Sequence, residues 1–319
     1  MLSTKWQTRD GSCAQEKPTQ EQNSDTKFET RKRMYFWYNS GVGGTTAGKR
    51  KEFTMKTPII FLCAITLCAA AHAENSAKTK TVKDIPYAER AACRLDLRYP
   101  SDTTNFTTVV WFHGGGLTSG GRHFVPFNDR RIAQVAVSYR LLGKDAKTGL
   151  DCISDAAAAV AWTLSHIAEY GGDPKKVYVS GMSAGGYLTM MVGMDPRHLA
   201  AHGFKPTDLA GLAPISGQAT KHFAVRKFEG DKDPQFLPKI DPLAPLAHVS
   251  ANLPPIISIC GQPPYEWKCR SEENRLLIAS CTALGHTHAR FVQLDYCDHG
   301  RAYTAGLPYV EMFVKGGLP

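Results

Sequence analysis

The feature that most constrains this chain is the pentapeptide Gly181-Met182-Ser183-Ala184-Gly185, which stands between two regular elements. Residues 177–180 have the β-branched and aromatic character of a strand, and residues 187–191 favour a helix. On a sharp strand-to-helix turn a serine hydroxyl is exposed at the top of a sheet, and flanking glycines let strand and helix approach without Cβ clashes. The pattern therefore predicts that Ser183 is a nucleophile on a strained turn.

A second glycine motif lies upstream and also follows a strand. His113-Gly114-Gly115-Gly116 comes directly after the apolar residues 108–112. Glycine lets neighbouring N–H groups converge without side-chain obstruction, as stabilisation of a developing oxyanion requires. We expect two oxyanion donors from this glycine run and a third from Ala184, the residue after the serine.

The predicted elements alternate between strands and helices. This alternation predicts an α/β fold with a mainly parallel central sheet and helices on both faces. Residues 217–250 are polar and irregular, and we interpret them as a small cap or lid segment beside the active site. The expected strands are 93–99, 108–112, 134–139, 177–180, 209–215, 255–260 and 289–294, and the expected later helices are 155–170, 272–284 and one near 308–314.

A serine nucleophile needs a base, and the base needs an orienting acid. In this architecture the chain order is serine, acid, histidine. His299 follows the last predicted strand, whereas His286 and His288 precede that strand and fall at the wrong end of the sheet. We therefore predict that His299 is the base.

The acid belongs in the loop after the strand that ends at Cys260. Glu266 is the carboxylate of that loop, whereas Glu272 and Glu273 begin the next helix, where acids commonly serve the helix dipole. Asp298 adjoins the histidine itself. The sequence thus favours Glu266 as the acid, against the alternative of a surface or substrate-facing glutamate.

The N-terminal region resembles a secretory signal that begins internally. Lys56 is followed by an apolar run over residues 59–70 and by Ala71-His72-Ala73, a small-x-small cleavage signature. The run is shorter than the roughly 20 residues of a membrane-spanning helix, so we expect no stable membrane anchor. The predicted organisation is a disordered or untranslated extension (1–54), a signal peptide (55–73) and a catalytic domain (74–319), which implies a secreted or periplasmic protein.

Charge and cysteine content exclude two classes of function. The net charge is +9, and residues 1–54 alone hold ten Lys and Arg against six Asp and Glu. The remaining charge is dispersed, so we expect no nucleic-acid partner. Six cysteines follow residue 74 without C-x-x-C or His/Cys zinc spacing. We therefore expect no metal and no cofactor.

Together these residues resemble the α/β-hydrolase superfamily, in particular the hormone-sensitive-lipase-like and feruloyl-esterase-like carboxylesterases of bacteria. Residues 137–141 and 169–174 are also similar to that family. The resemblance implies that Ser183 is the nucleophile, that His299 is the base, and that the oxyanion donors are Gly115, Gly116 and Ala184. The family usually has its acid where this chain has Pro264, so either Glu266 acts two residues later or the triad is incomplete.

The resemblance also implies a substrate pocket and a crosslink. Trp267 and the cap residue Phe223 would shape the pocket for the acyl or alcohol group, unless they are ordinary packing residues. A Cys269–Cys297 disulfide could join the acid loop (residues 261–269, with Glu266) to the base loop (the loop after the last strand, with His299). These two loops are neighbours in that fold. Acetyl or feruloyl esters of carbohydrates are candidate substrates for an exported enzyme of this type.

Two other functions remain open from the sequence. A serine exopeptidase of the prolyl-oligopeptidase type shares the chemistry, although such enzymes normally carry a large additional domain. The substituted acid position keeps open a non-catalytic or weakly active binding protein of the same fold, although the intact serine, histidine and oxyanion glycines argue against it. The sequence leaves the oligomeric state open.

Overall fold

An eight-stranded sheet organises the part of the chain that the computed structural model describes, residues 77–317. The predicted extension (1–54) and signal peptide (55–73) lie outside these residues. In chain order the strands are β1 (Thr79–Pro86), β2 (Arg94–Pro100), β3 (Phe106–Phe112), β4 (Ala133–Val137), β5 (Gly172–Met182), β6 (Gly211–Ile215), β7 (Ile256–Gly261) and β8 (Ala289–Leu294).

The strand order across the sheet is β1-β2-β4-β3-β5-β6-β7-β8. Strand β2 pairs antiparallel with β1 and with β4, and the strands from β4 to β8 pair in parallel. Parallel strands place their carboxyl ends at one edge of the sheet, which gathers the loops after β3, β5, β7 and β8. This topology confirms the predicted α/β fold with a mainly parallel sheet.

Helices cover both faces of the sheet. Within residues 77–317 no helix is long and apolar enough to span a bilayer. The helices are α1 (Gly149–His166), α2 (Ala184–Met194), α3 (Pro196–Ala200), α4 (Phe223–Phe228), α5 (Arg270–Ala283) and α6 (Arg301–Val314).

The central strand β3 divides its side chains between two hydrophobic cores. Val110 and Phe112 pack in the core that includes α1, α2 and α5, whereas Val109 and Trp111 pack in the core that includes α6. Successive residues of a strand point to opposite faces, so an uninterrupted apolar strand requires cover on both sides. Each fully buried aliphatic or aromatic side chain contributes about 1.5–3 kcal/mol, which fixes the strand that precedes the glycine run.

Several element bounds differ from the sequence expectation. Helix α1 begins at Gly149, ahead of residue 155, because Thr148 and Asp151 form a reciprocal capping box. Helix α6 begins at Arg301 and contains Pro308 in its interior. Strand β1 was not expected at all; it is an edge strand with mostly exposed residues, so it lacks the apolar alternation that identifies a strand.

The predicted cap segment, residues 217–250, contains helix α4 and a short 3₁₀ helix, Pro245–His248. Ion pairs hold its chain in place. Lys221 Nζ lies 2.7 Å from Asp241 Oδ2, and Arg226 Nε lies 2.8 Å from Asp231 Oδ2. The segment therefore has a defined structure, in which Val225 of α4 packs in the core that includes α1 and Phe223 packs against that core.

Candidate active site

Ser183 stands on a strained turn between β5 and α2. Its backbone has φ 58° and ψ −114°, which is unusual for a residue with a side chain. A Cβ on Gly185 would lie 2.0 Å from the Phe112 carbonyl oxygen, and a Cβ on Gly181 would lie 2.6 Å from the Gly185 carbonyl carbon. Only glycine fits these two positions, so the close approach of strand and helix imposes the turn that carries the serine.

The structure brings the three predicted catalytic side chains into one hydrogen-bonded chain. His299 Nε2 lies 2.9 Å from Ser183 Oγ, and His299 Nδ1 lies 2.7 Å from Glu266 Oε1. Glu266 follows β7 and His299 follows β8, so neighbouring parallel strands deliver the acid and the base to the same edge. Ser183 is 7% exposed and Glu266 is 5% exposed, which shields both hydrogen bonds from water.

Four donors fix the Glu266 carboxylate. Besides the His299 contact, Oε1 accepts from the backbone N–H of Trp267 at 2.8 Å. The other oxygen, Oε2, accepts from Ser216 Oγ at 2.6 Å and from the backbone N–H of Gly261 at 3.3 Å. Burial by itself would raise the pKa of Glu266, but the hydrogen bonds from His299, Ser216 and Trp267 hold that pKa below its ordinary value. The carboxyl group is therefore ionised at neutral pH.

Ser216 is a site residue that the sequence reasoning missed. It follows β6 directly, and its backbone has φ 45°. The signal available in the sequence was its place at the carboxyl end of a parallel strand, before Gly217, where polar side chains reach the functional edge of the sheet.

The predicted oxyanion donors lie beside the serine. A Cβ on Gly114 would lie 3.6 Å from Ser183 Cβ, so the glycine run passes close to the nucleophile. Gly115 and Gly116 have φ 101° and 64°, and their N–H groups have no acceptor among residues 77–317. Ala184 is the first residue of α2, where the N–H lies outside the helical hydrogen-bond ladder. These N–H groups are available to a ligand oxygen at Ser183.

A buried aromatic pair holds the glycine run. The His113 ring stacks on Tyr139 with centroids 4.4 Å apart, and the Tyr139 hydroxyl donates to the His113 carbonyl at 2.9 Å. Burial lowers the pKa of His113, so its ring is neutral, and Nδ1 lies 2.7 Å from the Gly114 carbonyl. These contacts restrain the backbone of the glycine run beside Ser183.

A cavity of about 860 Å³ opens onto the serine. Its lining combines Ser183, His299 and the three glycines with residues of α4 and of the acid loop. Both residues predicted to contact substrate, Phe223 and Trp267, are among the lining residues. The volume is that of a pocket for a small-molecule ligand.

Trp267 also contacts the base. Its ring stacks on His299 with centroids 3.6 Å apart and planes inclined by 11°. Phe223 meets the Trp267 ring edge-on at 6.1 Å. The Trp267 ring therefore restrains the His299 imidazole from one face, and the backbone N–H of Trp267 donates to Glu266. Both contacts come in addition to its predicted place in the pocket wall.

The predicted disulfide between Cys269 and Cys297 is wrong, since both cysteines are free. Cys269 is the N-cap residue that precedes helix α5, and its backbone has φ 64°. The two loops are joined instead through Gln262, whose N–H donates to the Cys297 carbonyl at 3.2 Å and whose Oε1 accepts from the Tyr296 N–H at 2.9 Å. The acid and base loops are neighbours, as expected, but hydrogen bonds connect them.

Within residues 77–317 no three His, Cys, Asp or Glu side chains are grouped as metal ligands would be.

Comparisons of the sequence with known proteins find one family model and several curated relatives that are named as ester hydrolases. A family model described as BD-FAE matches residues 95–200, a span that contains the glycine run and the serine turn. The chain is similar to the Mycobacterium tuberculosis protein named "Probable carboxylic ester hydrolase LipM", with 28% identity over 56% of this chain and 47% of that protein. It is 34% identical to liver carboxylesterase B-1 of Rattus norvegicus over 32% of this chain and 21% of that protein. The chain thus spans less than half the length of these curated relatives.

Solved structures share the fold. Thermogutta terrifontis esterase 2, phosphoramylated by tabun, aligns with a TM-score of 0.59 and 23% identity over 76% of this chain and 95% of its own. A truncated carbohydrate esterase from gut microbiota aligns with a TM-score of 0.59 and 16% identity over 76% of this chain and 97% of its own. At these identities the likeness shows a common fold.

Proposed function

We propose that this chain, which belongs to the α/β-hydrolase superfamily, is a serine carboxylesterase that acts through Ser183, His299 and Glu266. One observation carries the proposal: the Ser183 hydroxyl, on a strained turn at the cavity floor, is hydrogen-bonded to an imidazole that a buried, ionised carboxylate orients. This arrangement activates an otherwise weak nucleophile.

The geometry supports acyl transfer in two steps. In the first, His299 Nε2 accepts the proton of Ser183 Oγ as this oxygen attacks the ester carbonyl carbon. The protonated imidazole then gives its proton to the leaving alcohol, which leaves an acyl-enzyme. In the second step His299 Nε2 takes a proton from water as the water attacks the acyl carbon, and it returns that proton to Ser183 Oγ as the bond from this oxygen to the acyl carbon breaks and the carboxylic acid leaves. Glu266 stays ionised throughout and holds the tautomer in which Nδ1 carries the proton.

The tetrahedral intermediates of both steps carry a negative oxygen. The N–H groups of Gly115, Gly116 and Ala184 are the donors that this oxygen would meet. Since the stacked His113 and Tyr139 hold the glycine run in place, little reorganisation accompanies the reaction. Removal of one such donor typically costs about 10²–10³ in rate in hydrolases.

The substrates we propose are small carboxylic esters, with acetyl or feruloyl esters of carbohydrates as the candidate natural class. The aromatic walls formed by Trp267 and Phe223 suit an apolar or planar group. Thermogutta terrifontis esterase 2 has been solved with propionate bound, and a gut-microbial neighbour is a carbohydrate esterase. These relatives support short acyl groups and carbohydrate esters as the first substrates to assay.

The test combines turnover with active-site labelling. Wild-type protein should hydrolyse a p-nitrophenyl ester panel from acetate to decanoate and should be labelled by a fluorophosphonate. Ser183→Ala should abolish both, whereas Ser154→Ala, on the exposed face of α1, should change neither. A wild type that neither turns over esters nor reacts with the fluorophosphonate would favour a non-catalytic binding protein.

We also propose that the protein is exported, with residues 55–73 as a signal peptide. Lys56, the apolar run and the Ala71-His72-Ala73 cleavage signature support this assignment. N-terminal sequencing of the mature protein should give a start near Glu74, and a mature start before residue 55 would exclude it.

A further inference from the structure

The cavity lining contains one permanent charge that the proposed chemistry does not use. Lys227 lies in α4, is exposed, and lines the cavity together with Phe223 and Phe228. Among the described lining residues the other titratable groups are the imidazole of His299, which the proposed mechanism employs, and the phenol of Tyr303, whose pKa burial raises. The ammonium group of Lys227 is therefore the permanent charge among the described residues that line the cavity.

The other cap cations close to Lys227 are already paired. Arg226 binds Asp231 at 2.8 Å, and Lys239 binds the same carboxylate at 2.6 Å. Lys221 holds Glu229, the acid two residues after Lys227. Among residues 77–317 no carboxylate forms an ion pair with Lys227, so the nearby acids are engaged elsewhere and its charge is left for a ligand.

We propose that Lys227 is a specificity-determining residue that binds a carboxylate carried by the ester substrate, so that anionic esters are preferred. The inference rests on the proposed esterase function. Uronic acids acylated on a hydroxyl group, which keep a free carboxylate, and half-esters of dicarboxylic acids have the required chemistry. A cavity wall lowers the effective dielectric around the ammonium group and strengthens such a contact relative to bulk water.

The carboxylate could belong to either side of the scissile bond, and two substrate pairs distinguish the sides. The mono-p-nitrophenyl ester of adipic acid and its methyl ester differ by a charge in the acyl part. Likewise, 4-acetoxybenzoate and its methyl ester differ by a charge in the alcohol part. For each pair the measured quantity is the ratio of kcat/KM for the anionic ester to that for the neutral one.

Lys227→Met should lower this charge-preference ratio about fivefold in at least one pair, the size of a partly exposed ion pair. Lys227→Arg should retain the ratio and Lys227→Glu should lower it further. Lys232→Met is the matched control, because Lys232 is exposed on the same segment but does not line the cavity. Raised ionic strength should reduce the wild-type ratio and leave that of Lys227→Met nearly constant.

Equal ratios in wild type and Lys227→Met for both pairs would overturn the inference, with the esterase function intact as long as the neutral esters are hydrolysed. An equal fall in Lys232→Met would also overturn it, since a general field effect would then explain the preference. If wild type hydrolyses none of the four esters and resists the fluorophosphonate, the proposed function fails and this inference fails with it.

Discussion

Glu266→Gln keeps the shape of the acid and removes its charge. The contacts around this side chain allow the effect on kcat and on stability to be worked out. One oxygen accepts from His299 Nδ1 and the Trp267 N–H, and the other accepts from Ser216 Oγ and the Gly261 N–H. An amide offers one acceptor oxygen and one donor NH₂ group. In either orientation its NH₂ faces two groups that previously donated to the carboxylate.

Both orientations of the amide impair the base. If the NH₂ group faces His299, the imidazole must carry its proton on Nε2 and cannot accept one from Ser183. If it faces Ser216 and Gly261, the tautomer is correct, but the imidazolium formed in the transition state has lost its counter-charge. An asparagine in place of the acid of a related triad lowers kcat by about 10⁴, so we expect a loss of about 10³- to 10⁴-fold.

Stability should respond as well, with a defined pH dependence. The folded-state pKa of Glu266 lies below the ordinary value, about 4.3 for a glutamate in an unfolded chain. The ionised carboxylate therefore stabilises the fold above that pH, and its contribution is lost as the pH falls through the folded-state pKa. Glu266→Gln should lower Tm at pH 7 and should flatten this part of the acid-side decline in Tm.

The assay is p-nitrophenyl acetate turnover with fluorophosphonate labelling, accompanied by thermal unfolding from pH 3 to pH 7. Glu272→Gln is the matched control, because Glu272 is an exposed acid in the first turn of α5. Activity of Glu266→Gln within tenfold of wild type, in protein that unfolds cooperatively, would refute the assignment of the acid.

Three further changes probe the parts that surround this acid. Ser216→Ala removes one donor to the carboxylate, worth about 1.5–3 kcal/mol for a charged partner, and should lower kcat/KM for p-nitrophenyl acetate at least fivefold. Trp267→Leu removes the stack on His299 and should lower kcat more than it raises KM. Trp267→Phe keeps an aromatic ring and should recover most of kcat; if the two variants lose kcat equally, stacking is not the cause. Gly185→Ala should lower Tm by many degrees or prevent folding, because its Cβ would lie 2.0 Å from a backbone oxygen, whereas Gly121→Ala, with nothing within 4 Å, should be near neutral in thermal unfolding.

The parts of the site that lie on strong local patterns were predictable. The serine turn needs glycine on both sides, and the glycines are visible in the sequence as G-x-S-x-G. The apolar strand β3 is buried on both faces, so its composition identifies it without any tertiary information. Position after a parallel strand then places His299 at the same edge as the serine.

The remaining parts depend on tertiary contacts that leave little trace in composition. Strand β1 is exposed along most of its length, and its existence follows from pairing with β2. Ser216 resembles any serine in a loop until the fold places it beside the carboxylate. The Cys269–Cys297 pairing failed for the same reason, since proximity of two loops does not determine how far apart two Cβ atoms are.

The loop that carries Glu266 departs from the pattern of the carboxylesterases that this sequence resembles. Pro264 stands where those carboxylesterases usually have their carboxylate. The chain turns there because the N–H groups of Tyr265 and Glu266 both donate to the Gln262 carbonyl. This turn brings Glu266 back under the sheet edge, where the Gly261 N–H and Ser216 already provide donors to one oxygen. The sheet therefore sets the positions of these two donors and of His299. Glu266, two residues later, reaches both His299 and these donors, so the proposed triad does not require a carboxylate at position 264.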